Sequence, residues 1–250
     1  LGDLRDVRAG PVLIERLDDE SESPNVRHAA AQALGRIGDR SATPALIRAA
    51  QTGDFWVRHA AVEALGRIAD ESALPVLFEL AGKDIWLRPA VVQTLGSIGR
   101  PEALPHLVQA LDDGNPATRA ASLEALIKIV VEPAAEERGQ VSQPAGVHGV
   151  IPVAPLLREL KAAPPGNAYA AHLLGWLADP EALPDLIAAL GSRDANLRHA
   201  TSEAILRYGP AAGSALQEAL KHPQAEAREL AAELLGMMAD AQAVPALLAH

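Results

Sequence analysis

The feature that most limits what this chain can fold into is a run of fourteen residues that it repeats. VRHAAAQALGRIGD, Val26 to Asp39, returns as VRHAAVEALGRIAD at Val57 to Asp70, LRPAVVQTLGSIGR at Leu87 to Arg100 and TRAASLEALIKIVV at Thr118 to Val131. It returns again as LRHATSEAILRYGP at Leu197 to Pro210 and ARELAAELLGMMAD at Ala227 to Asp240, while a degenerate copy, GNAYAAHLLGWLAD from Gly166 to Asp179, has Asn167 where the others have arginine. Anchored on that position (27, 58, 88, 119, 167, 198 and 228), the copies are spaced by 31, 30, 31, 48, 31 and 30 residues. A period this regular, with one widened gap, describes an array whose units bury their apolar faces on one another, not a domain with a single centre.

Each copy reads as a helix. Val26, Ala30, Ala33, Leu34 and Ile37 recur at the spacing of one apolar helical face. Gly35 falls inside that helix, where glycine costs roughly 1 kcal/mol relative to alanine. Its recurrence at Gly66, Gly96, Gly175 and Gly236 predicts a neighbouring helix too close to admit a side chain. Nine residues after each glycine stands a proline (Pro44, Pro75, Pro105, Pro184, Pro245), and Gly2 and Pro11 obey the same rule. Proline is tolerated in a first helical turn, so each repeat is predicted to be a helical hairpin.

Along the chain, residues 1 to 19 supply the end of one hairpin, and regular units are expected at about 24–53, 54–83 and 84–113. The fourth unit runs into EPAAEERGQVSQPAGVHGVI, Glu132 to Ile151, an inserted loop that is either loosely packed or a binding element. Two further units, 166–193 and 194–222, precede a final hairpin from Pro223 to His250. The whole of 1–250 is expected to form one solenoid, a piece of a longer polypeptide, because it opens inside a repeat at Leu1-Gly2.

Composition narrows the chemistry. Hydrophobic residues make up 49% of the chain but aromatics only 3%, so the core must be Ala, Leu, Val and Ile between closely spaced helices. With 22 basic against 32 acidic side chains, the field repels phosphate backbones, and nucleic acid is not an expected partner. The absence of cysteine excludes disulfides, thiolate metal sites and a cysteine nucleophile. No apolar run approaches the roughly 20 residues of a membrane helix, and nothing at the start resembles a signal peptide, so no membrane association and a cytoplasmic location are expected.

The motif VRxAAxxALGxIGD followed by xxAxPxLIxAL resembles the HEAT-like repeats grouped with phycobilisome lyases, a branch of the HEAT superfamily of alpha-solenoids. That resemblance covers nearly the whole chain. It implies an all-α, right-handed solenoid of about seven hairpins, with a bacterial or archaeal source expected, in a family that includes scaffolds, chromophore lyases and metal-dependent hydroxylases. It further implies that the motif helix lines the concave face, with the residues one, two, five and nine after each anchor pointing inward. In the first two copies these are His28, Ala29, Gln32, Arg36 and His59, Ala60, Glu63, Arg67.

The repeated arginines read either as an anion-binding ladder or as structural partners of Asp39 and Asp70; the framework pattern favours the structural role. His28, His59 and His199 share one repeat position, which invites a metal. In the iron-dependent hydroxylases of this superfamily His-Glu pairs stand there, but here Ala29, Ala60 and Ala200 follow, so no metal or other cofactor is assigned. A base-stacking DNA glycosylase role is opposed by the acidic balance. Trp56 and Trp86 fall at equivalent places in adjacent repeats; they either plug gaps between alanine-rich helices or form a binding hot spot.

The sequence thus points to a non-catalytic interaction scaffold, no enzyme, binding a partner protein or another domain of its own chain. The partner-binding residues are Phe55, Trp56, His59 and Trp86, joined by His28, Tyr169, Trp176 and His199. The alternative is a bilin (tetrapyrrole) lyase subunit or chaperone, with His28, His59 and Arg36 available to the propionates and pyrrole nitrogens.

Overall fold

The computed structural model describes residues 7–131, 150–164 and 166–247. Among these the chain is all α-helical: α1 (Gly10–Asp18), α2 (Pro24–Ile37), α3 (Thr43–Thr52), α4 (Phe55–Ile68), α5 (Leu74–Lys83), α6 (Arg88–Ile98), α7 (Leu104–Ala110) and α8 (Pro116–Leu126). Then come α9 (Val153–Leu160), α10 (Gly166–Leu177), α11 (Leu183–Ala189), α12 (Ala195–Arg207), α13 (Gly213–Ala219) and α14 (Ala225–Leu247). The even-numbered helices from α2 to α14 are the seven copies of the motif. The helices group into two compact units, Leu1–Ile129 and Val130–His250. Most of the expected insertion, 132–149, lies outside the described residues.

Local chemistry sets the helix ends. Asp54, Asn115 and Asp194 accept bonds from backbone amides of the first turns of α4, α8 and α12 and so cap them. At the other end, the residue eleven after the anchor turns left-handed: Gly38, Gly99 and Gly209, but also Ala69 and Ala178, at φ of 53° and 49°. A left-handed alanine carries a penalty of about 1 kcal/mol that glycine avoids. Asp39, Asp70 and Asp179 follow and accept bonds from the amides of Ser41, Ser72 and Glu181, turning the chain into the proline-started helix. The prolines stand in the first turns of α3, α5, α7 and α11, as expected.

In unit 1 the motif helices form one layer, α2 on α4 on α6 on α8, and the odd-numbered helices form a second layer against it. The glycines explain how the first layer packs. A Cβ placed on Gly35 would lie 2.7 Å from Ala64 Cα, one on Gly96 2.5 Å from Ala125 Cβ, and one on Gly66 3.1 Å from Thr94 Oγ1. In unit 2, Gly175 meets Ala204 of α12 in the same way, at 2.5 Å from its Cα. The repeated glycine therefore receives the small residue six positions after the next anchor. Where Ile127 replaces it, α8 passes into a π-helical turn, Ile127–Val131. Leu34, Leu65, Leu95 and Leu126 lie fully buried between the layers, each stabilising the fold by about 1.5–3 kcal/mol through burial.

The repeat arginines are structural, but their partners differ from those expected. Arg27, Arg58 and Arg88 donate from Nε to the carbonyls of Leu17, Ala50 and Ala81, closing the C-terminal end of the preceding helix. Arg198 and Arg228 donate to the carbonyls of Ser192 and His222. Their carboxylate partners are not Asp39 and Asp70, which are committed to turns, but Asp84 for Arg58, at 2.8 Å, and Asp113 for Arg88. Burial pushes the Asp84 carboxyl up, yet the amides of Leu87 and Trp86 and the Arg58 charge together hold it below the usual carboxylate range. A depressed pKa contributes stability above pH ~4, and that contribution is lost as pH falls through the folded-state value. Asp84→Ala removes both the ion pair and the hydrogen bonds that hold the turn before α6, so urea unfolding should show a loss of about 1–2 kcal/mol.

A second correction concerns the last repeat. The expected hairpin with Pro245 opening its second helix does not form; α14 runs as one helix from Ala225 to Leu247. Among the described residues, no helix is long and apolar enough to cross a membrane.

Candidate functional site

The residues one, five and nine after each anchor lie mostly half-buried or exposed along the motif layer; of those two after it, Ala29 is exposed, but Ala60 and Ala200 are buried in the packing and do not line a concave face as expected. In unit 1 the capping Asp54 fixes the first turn of α4, so Phe55 and Trp56 project from its end, 39% and 66% exposed. Their rings meet edge to face at 5.2 Å, and Phe55 lies 6.2 Å from the His59 ring. One repeat on, Asp84 fixes the turn before α6 through the amides of Trp86 and Leu87. Ile85 and Trp86 project there, 61% and 75% exposed. These tryptophans do not plug gaps. His28 stands half-buried on α2 at the place that His59 holds on α4, with Arg36 and Arg67 two turns further along each helix. Glu63 lies between His59 and Arg67, 3.9 and 3.8 Å away.

Unit 2 carries the other three predicted residues. Trp176 is buried beneath the Arg207 guanidinium, 4.4 Å from the ring centroid, and so acts as packing. His199 and His172 flank Glu203 at 3.5 and 3.6 Å, and Tyr169 is half-buried on α10. Burial lowers the His172 pKa, with Arg207 and His199 adding to the effect and Glu203 opposing it, so that imidazole is neutral near pH 7. Among the described residues, no group of three or more His, Asp or Glu side chains is placed to hold a metal ion.

Two features escaped the sequence reading. In unit 1 a cleft of about 330 Å³ opens between the C-terminal ends of α5 and α7, floored by Arg88 and Val92 of α6 and lined by Phe78, His106, Asp112 and Asp113. It exists because α7, Leu104–Ala110, stops earlier than α5 and because Ala81 and Gly82 bring little side chain to its wall. In unit 2 the Tyr208 hydroxyl donates to the carbonyl of Asp179, at 2.8 Å, tying α12 to the end of α10. Neither has a signal in the repeat pattern, because each depends on where two elements end relative to one another.

A stack of helical hairpins in which glycine and alanine set the inter-helix contact defines an alpha-solenoid. The model of the HEAT repeats matches residues 10–88 and 80–136, and the chain belongs to that family. Over 51 residues, 18% of this chain, it is 47% identical to the phycocyanobilin lyase subunit alpha of Microchaete diplosiphon. Over 39 residues, 16% of this chain, it is 56% identical to the deoxyhypusine hydroxylase of Mus musculus. The matched stretches span 17% and 13% of those relatives' lengths. The CpcE–CpcF complex of phycocyanin lyase from Nostoc sp. shares the fold, with a TM-score of 0.50 at 22% identity, covering 95% of this chain and 86% of that one. These matches overturn the expectation that the chain is not an enzyme: the relatives that share its repeat are a lyase subunit and a hydroxylase.

Proposed function

We propose that the chain is part of a bilin lyase-type subunit, which holds an open-chain tetrapyrrole on the motif layer of unit 1 and presents it to an acceptor protein. The observation that carries this reading is the 47% identity to a phycocyanobilin lyase subunit over 51 residues. The geometry is compatible with it. His28 and His59 stand in register on neighbouring helices, with Arg36 and Arg67 two turns along, giving imidazoles toward pyrrole nitrogens and guanidiniums toward propionates. Motif helices this close lie about 8–10 Å apart, a spacing that one tetrapyrrole spans. The lack of cysteine does not oppose the role, because the thiol that bonds the chromophore belongs to the acceptor. The hydroxylase reading has less support, since Ala29, Ala60 and Ala200 stand where that chemistry needs glutamates. The protein partner expected from the sequence becomes the acceptor or a companion lyase subunit.

Co-expression with a bilin should give purified protein with visible absorbance, and the His28→Ala, His59→Ala double variant should lose most of it while keeping its helical circular dichroism. Colourless wild-type protein would sink the proposal.

A further inference from the structure

Two motif helices of unit 1 begin differently from their neighbours. At the places three and two residues before the anchor, α4 has Phe55-Trp56 and the turn into α6 has Ile85-Trp86, whereas the flanking copies have Pro24-Asn25 and Pro116-Ala117. The four large side chains are 39%, 66%, 61% and 75% exposed. Together they make an apolar patch of roughly 500 Å², taking about 150–250 Å² for a whole aromatic side chain. A patch of that size on a soluble chain is often functional. Charge is nearly cancelled around it, because Asp84 pairs with Arg58, Asp113 with Arg88 and Asp18 with Arg48.

We propose that this edge binds a second copy of the chain, as a two-fold dimer in which Trp56 of each copy packs on Trp86 of the other. The proposal goes beyond the lyase reading and does not depend on it. A row of two equivalent positions exchanges its ends when turned about an axis through its midpoint, so Trp56 meets the second copy's Trp86 and Phe55 meets its Ile85, and the same contact is made twice. The row is also bounded. Pro24-Asn25 and Pro116-Ala117 offer no third aromatic, so the contact closes at two copies and does not propagate from repeat to repeat. The chain carries a formal net charge of −10, so two copies repel over most of their surface. An edge whose carboxylates already have arginine partners is where they can approach.

The remaining charges set the direction of the pairing. Among the described residues no cation pairs with Asp54, which accepts the amides of Trp56 and Val57. Lys83, one residue before the equivalent Asp84, has a side chain 73% exposed and is held by Glu79 across an exposed helical turn. Exchanging the ends sets Lys83 beside the second copy's Asp54. Placing like on like would oppose Asp54 to Asp54 and Lys83 to Lys83, an arrangement that repulsion disfavours. Two patches bury roughly 1,000 Å² before the flanking turns are counted, in the lower range of specific interfaces, so micromolar association is expected. The second copy also covers Phe55, whose ring lies 6.2 Å from His59, and so walls off that end of the His28–His59 row.

Sedimentation equilibrium of the intact chain between about 1 and 300 μM should show a monomer–dimer equilibrium, with tryptophan emission moving to the blue as the two exposed indoles are covered. Trp56→Ala and Trp86→Ala each break both indole contacts of the dimer and should weaken association roughly tenfold or more, with helical circular dichroism unchanged. Mixing the two variants restores one intact Trp86–Trp56 contact, so the mixture should associate more tightly than either variant alone. Lys83→Glu should weaken association about threefold. A wild-type chain that stays monomeric at the highest concentration overturns the proposal and leaves the edge to a different protein. A mixture no tighter than the separate variants overturns it too, since that is the result for indoles stacked like on like. So does association that neither alanine variant changes, or growth beyond the dimer. All of these measurements are made without bilin, and bilin absorbance reads the lyase proposal separately.

Discussion

Gly175→Ala should lower the stability of the chain, although alanine is the better helix former. The propensity gain is about 1 kcal/mol. Against it stands the new methyl, 2.5 Å from Ala204 Cα and 3.2 Å from the Ala204 carbonyl oxygen, backbone atoms that move only if α10 and α12 separate. Overpacking of this kind costs about 1–3 kcal/mol, occasionally more, so a net loss of about 1–2 kcal/mol is expected, or a melting temperature lower by roughly 2–8 °C. Gly175→Val should lose more. Pairing Gly175→Ala with Ala204→Gly should recover part of the loss, and the double-mutant cycle isolates the contact itself. Gly236 supplies the opposite sign: it holds the same repeat position on α14, but a Cβ there meets nothing within 4 Å. Gly236→Ala should therefore raise stability by up to about 1 kcal/mol. If both alanines act alike, the packing account of the repeat is wrong.

Alkaline unfolding should be governed in large part by Tyr208. Burial, with the Asp179 charge adding to it, pushes the Tyr208 hydroxyl up to about 12 from 10.0. A raised folded-state pKa means that the contribution is fully present below pH 10, where both states keep the proton. It is lost as pH rises toward 12, because the unfolded chain ionises first. Two pKa units correspond to about 2.7 kcal/mol. Tyr208→Phe removes the bond to the Asp179 carbonyl and should cost about 1 kcal/mol at pH 7. It should also flatten the decline between pH 10 and 12, as followed by urea titrations at several pH values. A variant whose stability falls as steeply as wild type over that interval would show that another group controls it.

How much of this was legible beforehand varies with the range of the interaction. The motif helices, the proline-started helices and the tight approach at Gly35 and Gly96 follow from residue type at fixed spacing, and the structure has them. The partners of Arg58 and Arg88 were misread because Asp84 and Asp113 look like ordinary turn residues. Only the folded hairpin shows each of them reaching back to the preceding repeat's arginine. The aromatics divided for a similar reason. Trp56 and Trp86 precede the anchor, where helix capping throws them outward, while Trp176 sits nine after it and is covered by Arg207, a residue on the next motif helix. The α5–α7 cleft depends on one missing turn of α7 and on Gly82, a difference of length that periodicity does not register.

The close contact of Gly35 with Ala64 and of Gly96 with Ala125 also has a mechanical meaning. Backbones already touching cannot be pressed closer, so in unit 1 the motif layer behaves as a row of fulcrums. Any flexing of the stack must be taken up by the second layer, whose helices stand further from one another. The α5–α7 cleft is the gap in that compliant layer, so it marks the joint at which two adjacent repeats of unit 1 can change their angle while the spacing of the motif helices stays fixed.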